Sequence, residues 1–369
     1  DLIKSFMSSA SEGEGDIVIN STPPFASVVI DGIKIGKTPI TLHKVKAGKH
    51  LIKVMLDTYK SSVREVQVKN RVKTKVGINL EKKLSSIEIK SGIPGATVYF
   101  DRKNIGITPI KIENVSMGTH IVRLQLVKDG KKYYGYEEIW VNEDNVFWNV
   151  ELKEFKIPRK YKLIPGGKFT MGINHQYDYE GPVHDVYTDA FYISSLETTN
   201  IDFEKIFPSH QRSAFSKGDK NPVTNVTWFE AYDYCKKIGG RLPTEAEWDK
   251  AARGGRGLRS VMHLNPNMGV KTFAEGSDPV GSFKRNPYGL YDINGNANEW
   301  VYDWFDERFF IWGTDQNPIG PEFGVYKAMK GGSWFDKGFL ANLATRWRYL
   351  PDERKDFGGF RCVYDTWVE

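Results

Sequence analysis

Gly240-Arg241-Leu242-Pro243-Thr244-Glu245-Ala246-Glu247-Trp248 is the stretch on which the reading of this chain turns. Thr244 followed three residues later by Glu247 is a capping box, in which a hydroxyl and a carboxylate each bond an amide at a helix start. A helix is therefore predicted over Thr244 to Ala252. The same device stands just upstream. Thr227 precedes Trp228, Glu230 lies three residues on, apolar residues follow at helical spacing through Cys235, and Gly239-Gly240 stops the helix. Around these two helices run long irregular stretches rich in Gly, Trp and Tyr, with no strict period. Such a pattern suits a mixed domain with much ordered loop.

Upstream of Glu154-Phe155-Lys156-Ile157-Pro158-Arg159-Lys160 the pattern is different. Pro24-Phe25-Ala26-Ser27-Val28-Val29-Ile30-Asp31-Gly32 and Gly36-Lys37-Thr38-Pro39 recur as Pro94-Gly95-Ala96-Thr97-Val98-Tyr99-Phe100-Asp101 and Gly106-Ile107-Thr108-Pro109. The offset holds through Gly48-Lys49-His50 and Gly118-Thr119-His120, so one folding unit occurs twice. Each copy alternates in the manner of a strand, turns at Asp31 or Asp101, and ends a hairpin at Thr-Pro, because proline cannot donate to a ladder. The boundaries expected are 1–16 for a flexible amino-terminal segment, 17–84 and 85–155 for two small all-β sandwich domains, and 156–369 for one α+β domain.

The chain has 369 residues, 40% apolar and 27% charged, the composition of a globular protein with two or three domains. No window approaches the roughly 18–20 apolar residues of a membrane-spanning helix. Asp1-Leu2-Ile3-Lys4 carries neither an initiator Met nor an apolar leader core, which suits a chain whose targeting segment has been removed. The formal charge of +6 divides into +9 over residues 1–160 and −3 over the remainder. The lysines of the first part fall on alternating strands, where they read as solvated faces and guards of strand edges; an anionic wall polymer, a lipid surface or an acidic partner is the other reading. Nucleic acid is not expected as a partner, because no recognition helix or stacking platform is present.

The two repeats resemble PEGA domains, small β-sandwich modules of bacterial surface and envelope proteins. The name-giving Glu is absent from both copies, and Arg102 replaces the first turn glycine in the second. The resemblance implies spacers or adhesive modules. From Tyr161 onward the chain resembles the formylglycine-generating, or sulfatase-modifying factor, family. The motifs are Ile164-Pro165-Gly166-Gly167 through Gly172, Gly240 to Trp248, Gly289-Leu290-Tyr291-Asp292-Ile293-Asn294-Gly295-Asn296-Ala297-Asn298-Glu299-Trp300, Gly331-Gly332-Ser333-Trp334 and Gly359-Phe360-Arg361-Cys362. A C-type-lectin-like fold is implied.

In that family two cysteines five residues apart, after Gly-Gly-Ser-aromatic, bind copper and oxidise a sulfatase cysteine. The same count here reaches Asp336 and Ala341, neither of which offers the soft thiolate copper(I) requires, so copper is not expected. The resemblance also implies a disulfide between Cys235 and Cys362; the alternative is two buried free thiols in a cytosolic protein. It further implies a structural calcium ion held by the side chains of Asp292 and Glu299 and the carbonyls of Gly295 and Ala297; in the alternative, the carboxylates cap backbone amides. A second family calcium site, around Asn267-Met268, is doubtful.

Where a substrate groove would lie, Phe335, Asp336, Phe339, Arg346, Trp347, Arg348 and Tyr349 form an aromatic and charged set typical of contact surfaces. Phe305, Phe309, Phe310, Ile311 and Trp312 read either as partner surface or as a local core flap. The expectation is a non-catalytic protein exported to the periplasm or cell surface of a bacterium, binding a protein partner or further copies of itself. The alternatives are a divergent maturation enzyme acting on a peptide, and a module binding glycan or cell-wall polymer.

Overall fold

The structure is a computed structural model and describes residues 13–142, 147–173, 178–255, 276–336 and 343–367. The chain divides into two compact units, Asp1–Val127 with Tyr134–Leu152, and Lys128–Tyr133 with Lys153–Glu369. Among the described residues no helix is long and apolar enough to cross a membrane.

The first repeat comprises β1 (Glu14–Thr22), β2 (Ser27–Ile30), β3 (Ile33–Lys37), β4 (Ile40–Lys46), β5 (Gly48–Met55), β6 (Ser62–Val68) and β7 (Lys73–Asn79). Its sheets have the orders β4-β1-β7 and β3-β2-β5-β6. Strand alternation sends Ile17, Ile19, Val28, Ile30, Ile52 and Val54 into one apolar cluster shared by the two sheets. β1 already begins at Glu14, inside the stretch read as a tether.

The second repeat is built the same way from β8 (Leu84–Ser91), β9 (Thr97–Phe100), β10 (Lys103–Ile107), β11 (Ile110–Ser116), β12 (Gly118–Lys128), β13 (Lys131–Val141) and β14 (Phe147–Val150). One sheet runs β11-β8-β14, and the other contains β10-β9-β12-β13. The shared motif residues prove to be joints. His50 lies between the Asp31 carboxylate and the Lys46 carbonyl, each at 2.7 Å, and His120 lies between Asp101 and the Ser116 carbonyl, each at 2.6 Å. The second Asp oxygen accepts the amide of Leu51 or Ile121. The Thr of Thr-Pro accepts the amide of Ala26 or Ala96, closing the hairpin from within.

The second unit begins with β15 (Lys153–Glu154) and continues with β16 (Tyr161–Ile164), β17 (Gly167–Met171), β18 (His184–Thr188), β19 (Phe191–Ser194), α1 (Asn200–Glu204), α2 (Trp228–Lys237) and α3 (Glu245–Arg253). Then come β20 (Asn298–Trp304), α4 (Phe309–Trp312), β21 (Lys327–Lys330), β22 (Arg346–Tyr349), β23 (Gly358–Gly359) and β24 (Val363–Asp365). Three small sheets result, β16-β19-β24, β17-β18 and β22-β21-β20-β23. Both capping boxes form, Thr227 with Glu230 and Thr244 with Glu247. Cys235 of α2 is joined to Cys362, beside β24, across 127 residues.

The stretch 240–248 links these layers. Arg241 donates to Glu247 at 2.7 Å and to Asp365 at 2.6 Å, so the capping carboxylate of α3 also holds β24. Asp303 of β20 accepts the Glu245 amide at 2.7 Å, giving the helix start a further cap. The Phe305–Trp312 run divides. Phe305 and Phe309 are buried, whereas Ile311 and Trp312 are exposed.

Two outcomes follow from this architecture. Arg102 sits at φ +71°, where the first copy has Gly32 at φ +86°. Relieving the left-handed strain should outweigh the added flexibility of glycine, so Arg102→Gly should stabilise its repeat by up to about 1 kcal/mol. Slower amide exchange in β9 and β10 is the expected readout, and faster exchange contradicts it.

Burial, with the Glu245 charge, pushes the Asp303 carboxyl up to about 8. An acid whose folded value lies above its unfolded value of about 3.9 takes up a proton on folding. Its contribution to stability is complete below about pH 4 and is lost as pH rises to about 8. Asp303→Asn should therefore flatten the fall of Tm between about pH 5 and 8; an unchanged slope contradicts this assignment.

Candidate functional site

The segment after β21 makes a tight turn. The Asp336 carboxylate accepts both the backbone amide of Ser333, at 2.8 Å, and its hydroxyl, at 2.7 Å. Burial raises the carboxyl against the opposing effect of these two bonds. Asp336 thus closes a turn and presents little surface. Its neighbours on either side differ. Trp334 is buried with its ring stacked on Phe215 at 4.8 Å, and its Nε1–H has no partner among the described residues. Phe335 is 55% exposed and stacks on Phe357 at 5.3 Å with the rings nearly parallel.

The row of rings continues to Tyr349, edge-on to Phe357 at 6.1 Å, with the Lys355 ammonium 4.6 Å from the Tyr349 centroid. Burial, then the charges of Asp336 and Glu353, pushes the Tyr349 hydroxyl up to about 12. The result is a continuous aromatic ledge, Phe215–Trp334–Phe335–Phe357–Tyr349, with one carboxylate closing the turn that carries Phe335. Phe215 and Phe357 carry no local motif and were not expected in it.

Burial and partners sort the remaining expected contact residues. Trp347 is half-buried and donates its indole N–H to the Gly331 carbonyl at 3.1 Å. Arg348 is exposed and pairs with Glu307. Arg346 lies on the same strand face as Arg348, beside the same Phe305 ring, but reaches inward and is 2% exposed. It grips Glu245 through two bonds of 2.6 and 2.9 Å, and its guanidinium lies over the Phe305 and Phe310 rings. Arg346 is therefore core structure and not a partner contact. A basic residue in a sequence of alternating aromatics reads as surface only until its partner across the fold is known. Phe339 and Ala341 lie outside the described residues, as do Asn267 and Met268.

The 292–299 turn collects buried charge. Asp292, at φ +58°, accepts the amides of Gly281 and Phe283. Glu299 is held by Arg361 at 2.6–2.9 Å and by the Trp248 indole N–H at 2.8 Å. A third carboxylate, Glu197, accepts the Asn296 side-chain amide at 2.7 Å and the Ala297 backbone amide at 3.0 Å. Burial, reinforced by Asp292 and Glu299, raises the Glu197 carboxyl well above the usual range.

Three carboxylates thus face one guanidinium, and the buried Asn294 and Asn298 side-chain oxygens have no partner among the described residues. Among the described residues, no three acidic, His or Cys side chains converge as a metal-binding group. Glu197 lies 99 residues from Asn296 and has no signature of its own, so only the fold reveals it.

Known proteins share this architecture. The sulfatase-modifying factor enzyme 1-like domain family matches residues 150–366, and the PEGA domain matches residues 14–84 and again 84–153. The serine/threonine-protein kinase pkn1 of Chlamydia caviae is 32% identical over 246 residues, covering 58% of this chain and 39% of that protein. The chain therefore spans well under half the length of that kinase. The formylglycine-generating enzyme of Mus musculus is 31% identical over 277 residues, covering 55% of this chain and 74% of the enzyme. The solved structure of PvdO from Pseudomonas aeruginosa has the same fold, with a TM-score of 0.50 and 24% identity over 55% of this chain and 93% of PvdO. With the family match extending over more than half of its residues, the chain belongs to the sulfatase-modifying factor enzyme 1-like family and carries two PEGA domains ahead of that domain.

Proposed function

We propose that this chain is a non-catalytic member of its family, exported to a bacterial envelope, whose aromatic ledge binds a protein partner or further copies of the chain. The observation that carries the reading is the fate of the cysteines. The sequence contains two, and both are consumed in the Cys235–Cys362 disulfide. No thiolate is left for copper(I), and the position matching one of the family's metal cysteines is occupied by Asp336, committed to Ser333. The exposed Phe335 and its stacked neighbours supply a rigid aromatic contact surface, which suits a binding role. A disulfide persists in an oxidising compartment, and this supports export. The PEGA domains act in this reading as β-sandwich spacers.

The same reading assigns a structural calcium ion to the 292–299 turn. Asp292 and the carbonyls of Gly295 and Ala297 would be its ligands, with Glu299 shared between the ion and Arg361. The excess of carboxylate over guanidinium there is what a cation would offset.

Incubation with copper, oxygen and a Cys-x-Pro-x-Arg peptide should leave the peptide cysteine unchanged by mass spectrometry; formylglycine in the product overturns the non-catalytic reading in favour of a divergent maturase. For the ion, chelator should lower the Tm of the wild-type chain and leave that of Asp292→Ala unmoved. A wild-type Tm indifferent to chelator removes calcium from the account.

A further inference from the structure

The second unit holds an open cleft of about 710 Å³ that shares no residue with the aromatic ledge. Its walls are Lys162 on β16 and the 284–289 loop, with Lys284, Arg285, Pro287, Tyr288 and Gly289. The loop is rigid by construction. Asn286 is buried, its side-chain oxygen accepts the amides of Tyr288 and Leu290, and its NH2 donates to the carbonyls of Ala251 and Ala252 at the end of α3. Gly289 turns at φ +84°, and the Lys162 stem lies about one contact distance above it, 3.6 Å from where a Cβ would stand. The cations are therefore held on a fixed frame.

Residues 161–369 carry a net charge of −3, and several solvent-accessible basic residues meet carboxylates: Arg212 with Glu204, Arg348 with Glu307, Arg354 with Glu230, Lys205 with Asp202. Among the described residues Lys162, Lys284 and Arg285 meet none, and no acidic side chain lines the cleft. Three uncompensated positive charges around a concavity focus potential and favour an anion.

We infer that this cleft binds a saccharide bearing sulfate or phosphate groups. The Arg285 fork matches the geometry of such oxyanions, and the lysines add point charges. Tyr288 and Pro287 give a flat apolar wall for a sugar ring. The volume falls within the range of ligand sites, about 300–1,000 Å³, and a concave cleft suits a short segment of ligand better than a flat membrane. The inference is independent of the reading given to the aromatic ledge.

Calorimetric titration of the full chain at low salt tests it with three probes: a heparin-derived sulfated hexasaccharide, its desulfated form, and a phosphorylated mannose hexasaccharide. One charged probe is expected to bind, and the stronger of the two identifies sulfate or phosphate as the group recognised. Losing one or two charge-assisted contacts in Lys162→Ser or in Lys284→Ser/Arg285→Ser should weaken that probe by about tenfold or more. Thermal stability should stay unchanged in both variants. Lys73→Ser/Lys75→Ser, on the basic first repeat, should leave the affinity as it is. The inference is overturned if neither charged probe binds, if the desulfated hexasaccharide binds as well as the sulfated one, or if the Lys73/Lys75 variant loses as much affinity as the cleft variants.

Discussion

The buried ion pair of Arg361 with Glu299 is the constraint on which the second unit depends. Both side chains are fully enclosed. The guanidinium also donates to the carbonyls of Ser194, at 3.2 Å, and Tyr291, at 3.1 Å, while Glu299 receives the Trp248 indole. One pair thus ties β19, the 289–299 turn, α3 and the segment before β24. A pair this deep gains little net stability over an apolar replacement, but removing one partner leaves a buried charge and costs about 3–5 kcal/mol. Burial lowers and Glu299 more than restores the Arg361 charge, so the guanidinium holds its proton more firmly than usual. Glu299 serves the fold in this way whether or not a cation shares it.

Around that pair the domain repeats one solution: a charged residue fixed between two distant elements. Arg241 joins α3 to β24 through Glu247 and Asp365, and Arg346 joins β22 to α3 through Glu245. With little regular secondary structure to supply backbone ladders, these polar joints and the disulfide hold the loops in register. Lys327 is a further case, its ammonium 3.9 Å from the Trp228 ring centroid and 4.0 Å from that of Trp304. The scaffold is therefore built by residues separate from the turn that carries Asp336. The proposed loss of thiolate chemistry at that turn would leave every one of these joints intact.

Local signals were legible in the sequence and long-range pairings were not. The capping boxes at Thr227 and Thr244, the two copies of the β repeat and their Asp-turn and Thr-Pro joints are written within a few residues of each other, and the structure forms them. The Cys235–Cys362 bond followed from resemblance, not from spacing. The buried place of Arg346 is not legible locally, because its partner Glu245 lies 101 residues away. Glu197, Phe215 and Phe357 carry no local signal for the same reason: each gains its meaning only from a residue that the fold brings beside it. Asp336 was read as surface because its bond to Ser333 depends on a tight turn that no glycine or proline between them announces.

The central proposal is that this turn keeps the family's frame without the thiolates that hold copper(I), and competitive copper(I) titration under reducing, anaerobic conditions tests it most directly. The account predicts no tight binding by the wild-type chain and a gain of tight binding in Asp336→Cys/Ala341→Cys. Tight copper(I) binding by the wild-type chain, retained when Cys235 and Cys362 are blocked by their disulfide, would contradict it.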